Sequence, residues 1–63
     1  MGDEIVIREY DEQNDVNGIK VVDKLDSVEI VSFSKEREIL IDLTAGEVME
    51  LYLVLREILK SWL

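Results

Sequence analysis

The amino-acid sequence predicts an α+β fold: a four-stranded antiparallel meander followed by one C-terminal helix packed on one face of the sheet, in the order β-β-β-β-α. Two observations predict it. Four short segments within residues 3–43 alternate apolar and polar residues, which is the period of a strand, and turn-forming residues separate them. At Thr44 the apolar period changes to that of an amphipathic helix.

The strand boundaries follow from that alternation and from the polar residues between the segments. The predicted strands are Asp3–Tyr10, Ile19–Leu25, Val28–Phe33 and Arg37–Leu43. The first connection is an acidic loop over residues 11–15, followed by Asn17 and Gly18, which tolerate a positive φ. A tight turn is expected at Asp26 and Ser27, and a second one over residues 34–36.

The alternation divides the sheet into two unequal faces. The inner face, expected to pack against the helix, is aliphatic: Ile5, Ile7, Ile19, Val21, Val28, Ile30, Ile39, Ile41 and Leu43. The outer face mixes apolar residues with charged ones: Val6, Tyr10, Val22, Val31, Phe33 and Leu40 beside Arg8, Lys20, Lys24, Glu29, Glu38 and Asp42. A mixed face is compatible with solvent, because long charged side chains cover aliphatic neighbours, and it is equally compatible with an interface.

The helix is predicted from Thr44 to the chain end. Thr44 and Glu47 have the spacing of a capping box, a structural role that accounts for both residues. The apolar arc spans about 180°, wider than the stripe of roughly 100° or more that is typical of a surface helix. Its members are Val48, Leu51, Tyr52, Leu55, Ile58, Leu59 and Trp62, with Ala45, Met49 and Leu63 at the edge.

The size of the chain favours oligomerisation. We expect one domain over residues 1–63, and for such a chain the apolar gain on folding and the ordering cost are roughly equal. There is no cysteine and no histidine, so disulfides and the usual zinc ligand sets are excluded. We therefore expect a homodimer. The predicted interface is one side of the helix: Leu51, Val54, Leu55, Ile58 and Trp62. Strand pairing at a sheet edge is the alternative geometry for the dimer. The apolar residues Trp62 and Leu63 at the helix end are also explained by core packing or by truncation of a longer chain.

The charge balance limits the classes of partner. Fifteen acidic residues against seven basic ones give a net charge of −8, which disfavours direct binding to nucleic acid or to an anionic membrane surface. The absence of an apolar run of about 18 residues also predicts a soluble, cytoplasmic protein. Six acidic residues and only Arg8 fall within residues 1–15. This segment is either a solubilising surface or an imitation of a nucleic-acid backbone that binds a basic protein.

The acidic loop is the candidate metal site, and its alternative is an ordinary solvated hairpin loop. Hard oxygen ligands are offered by Asp11, Glu12, Asn14, Asp15 and Asn17. An EF-hand alignment fails because Lys24 stands where the bidentate Glu is required. We expect an inert loop, no metal, no cofactor and no catalytic residue. The glycines stand only at positions 2, 18 and 46, a spacing that forms neither a phosphate-binding loop nor a dinucleotide fingerprint.

The expected function is that of a non-enzymatic, acidic protein-interaction module that works as a homodimer. The alternatives are an acidic nucleic-acid mimic that inhibits a basic nucleic-acid-binding protein, and a small metal-dependent enzyme built on the acidic loop. Compact, acidic, cysteine-free units of this length are a common format for accessory proteins of phages or mobile elements, which is an association and not a physical inference.

Overall fold

The computed structural model describes residues 3–63, which form one sheet and one helix. The elements are β1 (Glu4–Arg8), β2 (Gly18–Asp23), β3 (Ser27–Phe33), β4 (Glu38–Thr44) and α1 (Ala45–Trp62). The strands lie in the order β1-β2-β3-β4, and each neighbouring pair is antiparallel. The predicted α+β meander with its C-terminal helix is confirmed.

The strand register separates the two faces as the alternation predicted. Directly opposed residues share a face of a sheet, and Ile5, Val21, Ile30 and Ile41 stand opposite one another across all four strands. The pairing of β1 with β2 shifts at Ile7, so this residue sits at an irregularity instead of continuing the row. We call the regular apolar side the aliphatic face: Ile5, Ile19, Val21, Val28, Ile30, Ile39, Ile41 and Leu43.

The connection between β2 and β3 differs from the prediction. Strand β2 ends at Asp23 instead of continuing to Leu25, because the Asp23 carboxylate accepts a hydrogen bond from the Leu25 backbone nitrogen at 2.8 Å. The Lys24 backbone nitrogen then donates to the Ser27 carbonyl at 3.0 Å, which closes a two-residue hairpin loop. Leu25 has a φ of 76°, a conformation that normally belongs to glycine.

The sequence predicts a glycine at position 18 because a loop there would need a positive φ, and this reason is wrong. Gly18 begins β2, and no glycine in residues 3–63 has a positive φ. Instead, Gly18 is buried beneath the Phe33 ring, and an added Cβ would lie 2.6 Å from Cε1 of that ring. Glycine stands here because an aromatic ring on β3 occupies the space of a side chain on β2.

The small core lies on the outer face, not on the aliphatic face where the sequence places it. Among residues 3–63, Val31 is the one apolar side chain that is buried, with 1% of its surface exposed. Phe33 follows on the same side of β3. Its ring lies 6.3 Å from that of Tyr10, and the Lys20 ammonium lies 5.8 Å from its centroid. Val31 stands between Lys20 and Leu40 across the strands, and a long side chain such as that of Lys20 covers aliphatic neighbours on a mixed face.

The helix begins without a connecting loop. Thr44 is both the last residue of β4 and the N-cap of α1, with extended backbone angles of −72° and 167°. The capping box is confirmed, since Thr44 and Glu47 each accept a hydrogen bond from the other's backbone nitrogen. The other end of α1 closes with the Leu63 nitrogen donating to the Leu59 carbonyl at 3.2 Å.

The helix has limited contact with its own sheet. It approaches β4 and β3 but neither β1 nor β2, and none of its residues is buried. The Cα radius of gyration is 13.5 Å, against about 10.6 Å for a compact chain of 63 residues. The described helix lacks the combination of length and apolar character that crossing a bilayer takes.

Candidate interaction surfaces

The aliphatic face is the first candidate surface. Its central row crosses four strands without a polar residue, yet 59% of Ile5 and 52% of Ile41 remain exposed at the sheet edges. The central members Val21 and Ile30 are only half-buried. Four strands at about 4.8 Å spacing make a surface wide enough for two helices of about 10 Å diameter. A face this apolar and this wide is a candidate docking surface.

The helix carries the second candidate surface, the interface stripe predicted from sequence. The stripe consists of Leu51, Val54, Leu55, Ile58 and Trp62, and every member is exposed. Four of these residues follow one another at intervals of four, three and four, so they lie along one line of the helix. Trp62 keeps 74% of its surface exposed, which excludes packing of this side chain into the protein's own core.

A second apolar line runs beside the interface stripe. Tyr52, Leu59 and Leu63 lie between about 80° and 120° around the helix from Leu51, at 100° per residue. They border a groove of about 480 Å³, and the charged side chains Arg56 and Lys60 lie along its margin. We call this line the groove stripe. Two adjacent stripes let one helix contact two different surfaces at once.

The helix touches its own sheet near its N-terminal end. A depression of about 230 Å³ lies between the β2–β3 turn and the first turn of α1, lined by Leu25, Val28, Ala45 and Val48 among others. In the described chain, Val48 is the only residue of the helix that is partly buried. Beyond it, α1 leaves the sheet, and its apolar side chains face solvent.

The solvent-accessible area of the chain is larger than that of a compact protein of the same mass. The chain exposes 5395 Å², about 1,200 Å² more than a compact protein of its mass. A standard interface buries about 800 Å² on each partner, and obligate homodimers bury more. The excess therefore has the size of one obligate interface.

The acidic loop is organised by Asp11. Its carboxylate accepts hydrogen bonds from the Asn14 side chain at 2.7 Å and from the backbone nitrogens of Gln13 and Asn14 at 3.1 and 3.3 Å. These bonds, that of the Asn14 side chain first, hold the pKa of Asp11 below its ordinary value of 3.8. Asp15 adopts the left-handed conformation at a φ of 54°, as turn aspartates commonly do.

The predicted ligand residues are not gathered around a common point. Within residues 3–63, no group of three or more acidic side chains is placed to hold a metal ion. The Glu12 carboxylate instead lies 2.9 Å from the Lys35 ammonium, on the opposite hairpin. The geometry gives Asp11 a structural role in the turn.

Several acidic residues are paired within the chain. The Glu4 carboxylate lies 3.2 Å from the Lys20 ammonium. The Lys24 ammonium lies 3.3 Å from the Asp42 carboxylate and 3.7 Å from that of Glu29. The hydrogen bond and charge of Asp42, with the charge of Glu29, raise the pKa of Lys24 above its ordinary value. These pairs break the negative surface of the outer face into smaller patches.

One arrangement escaped the sequence interpretation. The outer face was left open between a solvated surface and an interface, and neither alternative included the cluster of Tyr10, Phe33 and Lys20, although the glycine opposite Phe33 is a signal for close approach. The direct junction of strand and helix agrees with the prediction, in which the strand ends at Leu43 and the helix begins at Thr44.

Comparison with protein-family models, with curated proteins and with solved structures found no match to this chain. The functional argument therefore depends on the geometry of the surfaces described above.

Proposed function

We propose that the protein is a non-enzymatic, acidic protein-interaction module that works as a homodimer, with the interface stripe of α1 at the contact between the copies. The observation that carries the proposal is the imbalance, within residues 3–63, between one buried apolar side chain and an almost wholly exposed apolar helix. Exposed apolar surface of this extent marks an interaction site in a soluble protein. A cytoplasmic location is part of the proposal.

A second copy is the partner that fits best. The excess exposed area of about 1,200 Å² per chain would give about 2,400 Å² for two copies, which is in the range of obligate homodimers. A two-fold axis brings the same stripe of both helices together, and intervals of four and three suit such helix pairing. The interaction function follows because the outer face, with its paired charges, stays open to other partners.

Sedimentation equilibrium at micromolar concentration tests the dimer. We expect a mass of twice 7.3 kDa for the parent chain and of 7.3 kDa for Ile58→Asp, because a carboxylate cannot be buried unpaired in an apolar contact. Leu53→Asp is the matched control. It makes the same kind of change at a similarly exposed residue on the opposite side of α1, and the dimer should survive it.

Two results would contradict the proposal. One is a parent chain that sediments as a monomer and melts at a temperature independent of its concentration. The other is equal dissociation by Ile58→Asp and Leu53→Asp, which would show that the side of the helix is irrelevant.

The nucleic-acid mimic is the second hypothesis, and the internal ion pairs weigh against it. Mimicry needs unneutralised carboxylates at a regular surface, whereas Glu4, Glu12 and Asp42 each have a lysine within 4 Å. If mimicry is the function, binding to a basic protein must weaken steeply with salt. Affinity unaffected by salt would exclude it.

The metal-dependent enzyme is the third hypothesis. The Asp11 oxygens are occupied by three hydrogen-bond donors of the turn itself, which favours an inert loop. Millimolar calcium, magnesium or manganese should leave the melting temperature unchanged beyond ionic-strength controls. A metal-specific rise that Asp15→Ala abolishes would revive this hypothesis.

A further inference from the structure

We infer that two copies of the chain exchange their helices, so that α1 of each copy lies across the aliphatic face of the other. The inference rests on the proposed homodimer and specifies its geometry. The observation that carries it is the junction at Thr44, where a strand ends and a helix begins on the same residue.

The junction restricts where the helix can go. A helix that packs back across the sheet it follows needs a connection that turns the chain, and such connections are commonly 2–6 residues long. Here the connection has no residue of its own, and the capping box stabilises that arrangement through two hydrogen bonds of 2.9 and 3.3 Å. After Val48 the helix therefore departs from β3 and β4 and does not reach β1 or β2.

The aliphatic face and the helix are complementary in kind and in size. An 18-residue helix is about 27 Å long, and the strands of six or seven residues are about 20–23 Å long. The chain thus contains an apolar sheet face that no helix crosses and an apolar helix that has no sheet against most of its length. Short connections between such elements favour exchange between copies, because each element then finds its complement in the other copy.

The two stripes of the helix give the exchange a definite arrangement. The interface stripe meets its counterpart across the two-fold axis, as in the proposed dimer. The groove stripe, with Tyr52 and Leu59, then lies on the partner's row of Ile5, Val21, Ile30 and Ile41. This arrangement buries both stripes and the aliphatic face, and it leaves the outer face exposed.

Cross-linking between single-cysteine chains tests the exchange, since the natural chain has no cysteine to interfere. One chain carries Ile30→Cys on the aliphatic face. The other chain carries Leu59→Cys on the groove stripe and a tag that changes its size. The chains are mixed, refolded and treated with a short bismaleimide. A product of mixed size can arise only between copies.

We expect the mixed product to form at least ten times more abundantly for Ile30→Cys than for Leu40→Cys. Leu40 is the matched control because it is exposed on the outer face, one residue before Ile41, and so points away from the exchanged helix. Circular dichroism and sedimentation first establish that each variant folds and dimerises. If Ile30→Cys does not, Ile41→Cys replaces it in the same row.

The outcomes separate the inference from the proposed function. A dimer that gives no mixed product above the Leu40→Cys level overturns helix exchange and leaves the homodimer intact. A parent chain that is monomeric overturns both. Cross-linking of Ile30→Cys chains to each other, without reaction at Leu59→Cys, would mean that two sheets pack face to face and would also overturn the exchange.

Discussion

The backbone nitrogen of Thr44 donates to the Glu47 carboxylate at 2.9 Å, and the backbone nitrogen of Glu47 donates to the Thr44 hydroxyl at 3.3 Å. This reciprocal pair satisfies two backbone donors at the start of α1. It also joins the helix to β4 with no flexible residue between them. One pair of side chains therefore sets both where the helix begins and the direction in which it leaves the sheet.

Thr44→Ala should lower the free energy of unfolding by about 1 kcal/mol, because the Glu47 nitrogen loses its acceptor. Thr44→Ser keeps the hydroxyl and should cost much less. Denaturant unfolding followed by circular dichroism measures both. Equal losses for the two variants would show that the methyl group of Thr44, and not the cap, is what matters.

Leu25→Gly should raise the free energy of unfolding by about 1 kcal/mol, because Leu25 holds a φ of 76° that an L side chain resists. Its side chain is 76% exposed, so little packing is lost with it. Asp15→Gly is the comparison. Asp15 also has a positive φ, but aspartate tolerates the left-handed region, and the gain should be smaller. A loss of stability for Leu25→Gly would mean that Leu25 is a contact residue.

Gly18→Ala should lower the free energy of unfolding by about 1–3 kcal/mol, because the new methyl group overlaps the Phe33 ring. Combining it with Phe33→Leu should cost less than the sum of the two single changes, since the smaller side chain makes room. Gly46→Ala is a control with open space at the Cβ position. Additive losses at residues 18 and 33 would contradict the close approach.

Asn14→Ala should raise the pKa of Asp11 towards 3.8, because the Asn14 side chain is the first cause of its depression. A carboxylate with a lowered folded-state pKa stabilises the fold above its unfolded value, and that contribution is lost as the pH falls through the folded pKa. The stability that the parent gains over Asn14→Ala should therefore be present above about pH 4 and should disappear as the pH falls below it. Carbon-13 NMR titration of the Asp11 carboxyl measures the shift directly, and an unchanged midpoint would refute the assignment.

The sequence predicted the order of elements, the two sheet faces and the capping box, because each depends on local spacing. Alternation placed Ile30 and Ile41 on one face, and the register confirms that they are opposed. It misplaced the core, because burial of Val31 depends on its place in a central strand between Lys20 and Leu40, which long-range pairing creates. The predicted interface residues are exposed as an interface requires, but whether they meet a second copy depends on an assembly that spacing alone cannot reveal.

Lengthening the strand–helix junction should abolish the exchange of helices between copies. About five Gly and Ser residues inserted between Leu43 and Thr44 give a connection of ordinary length and leave the capping box whole. The helix can then fold onto its own aliphatic face. Tethered by a short flexible linker it has an effective concentration of about millimolar, which exceeds that of a partner chain at micromolar concentration.

We expect the mixed product between Ile30→Cys and Leu59→Cys chains to fall at least tenfold in the lengthened chain, with the helical circular-dichroism signal retained. The same insertion between Asn14 and Asp15, in the β1–β2 loop, is the control and should leave the mixed product unchanged because it lies far along the chain from the junction. A lengthened chain that gives as much mixed product as this control would contradict the exchange, since freedom to fold back would then have made no difference.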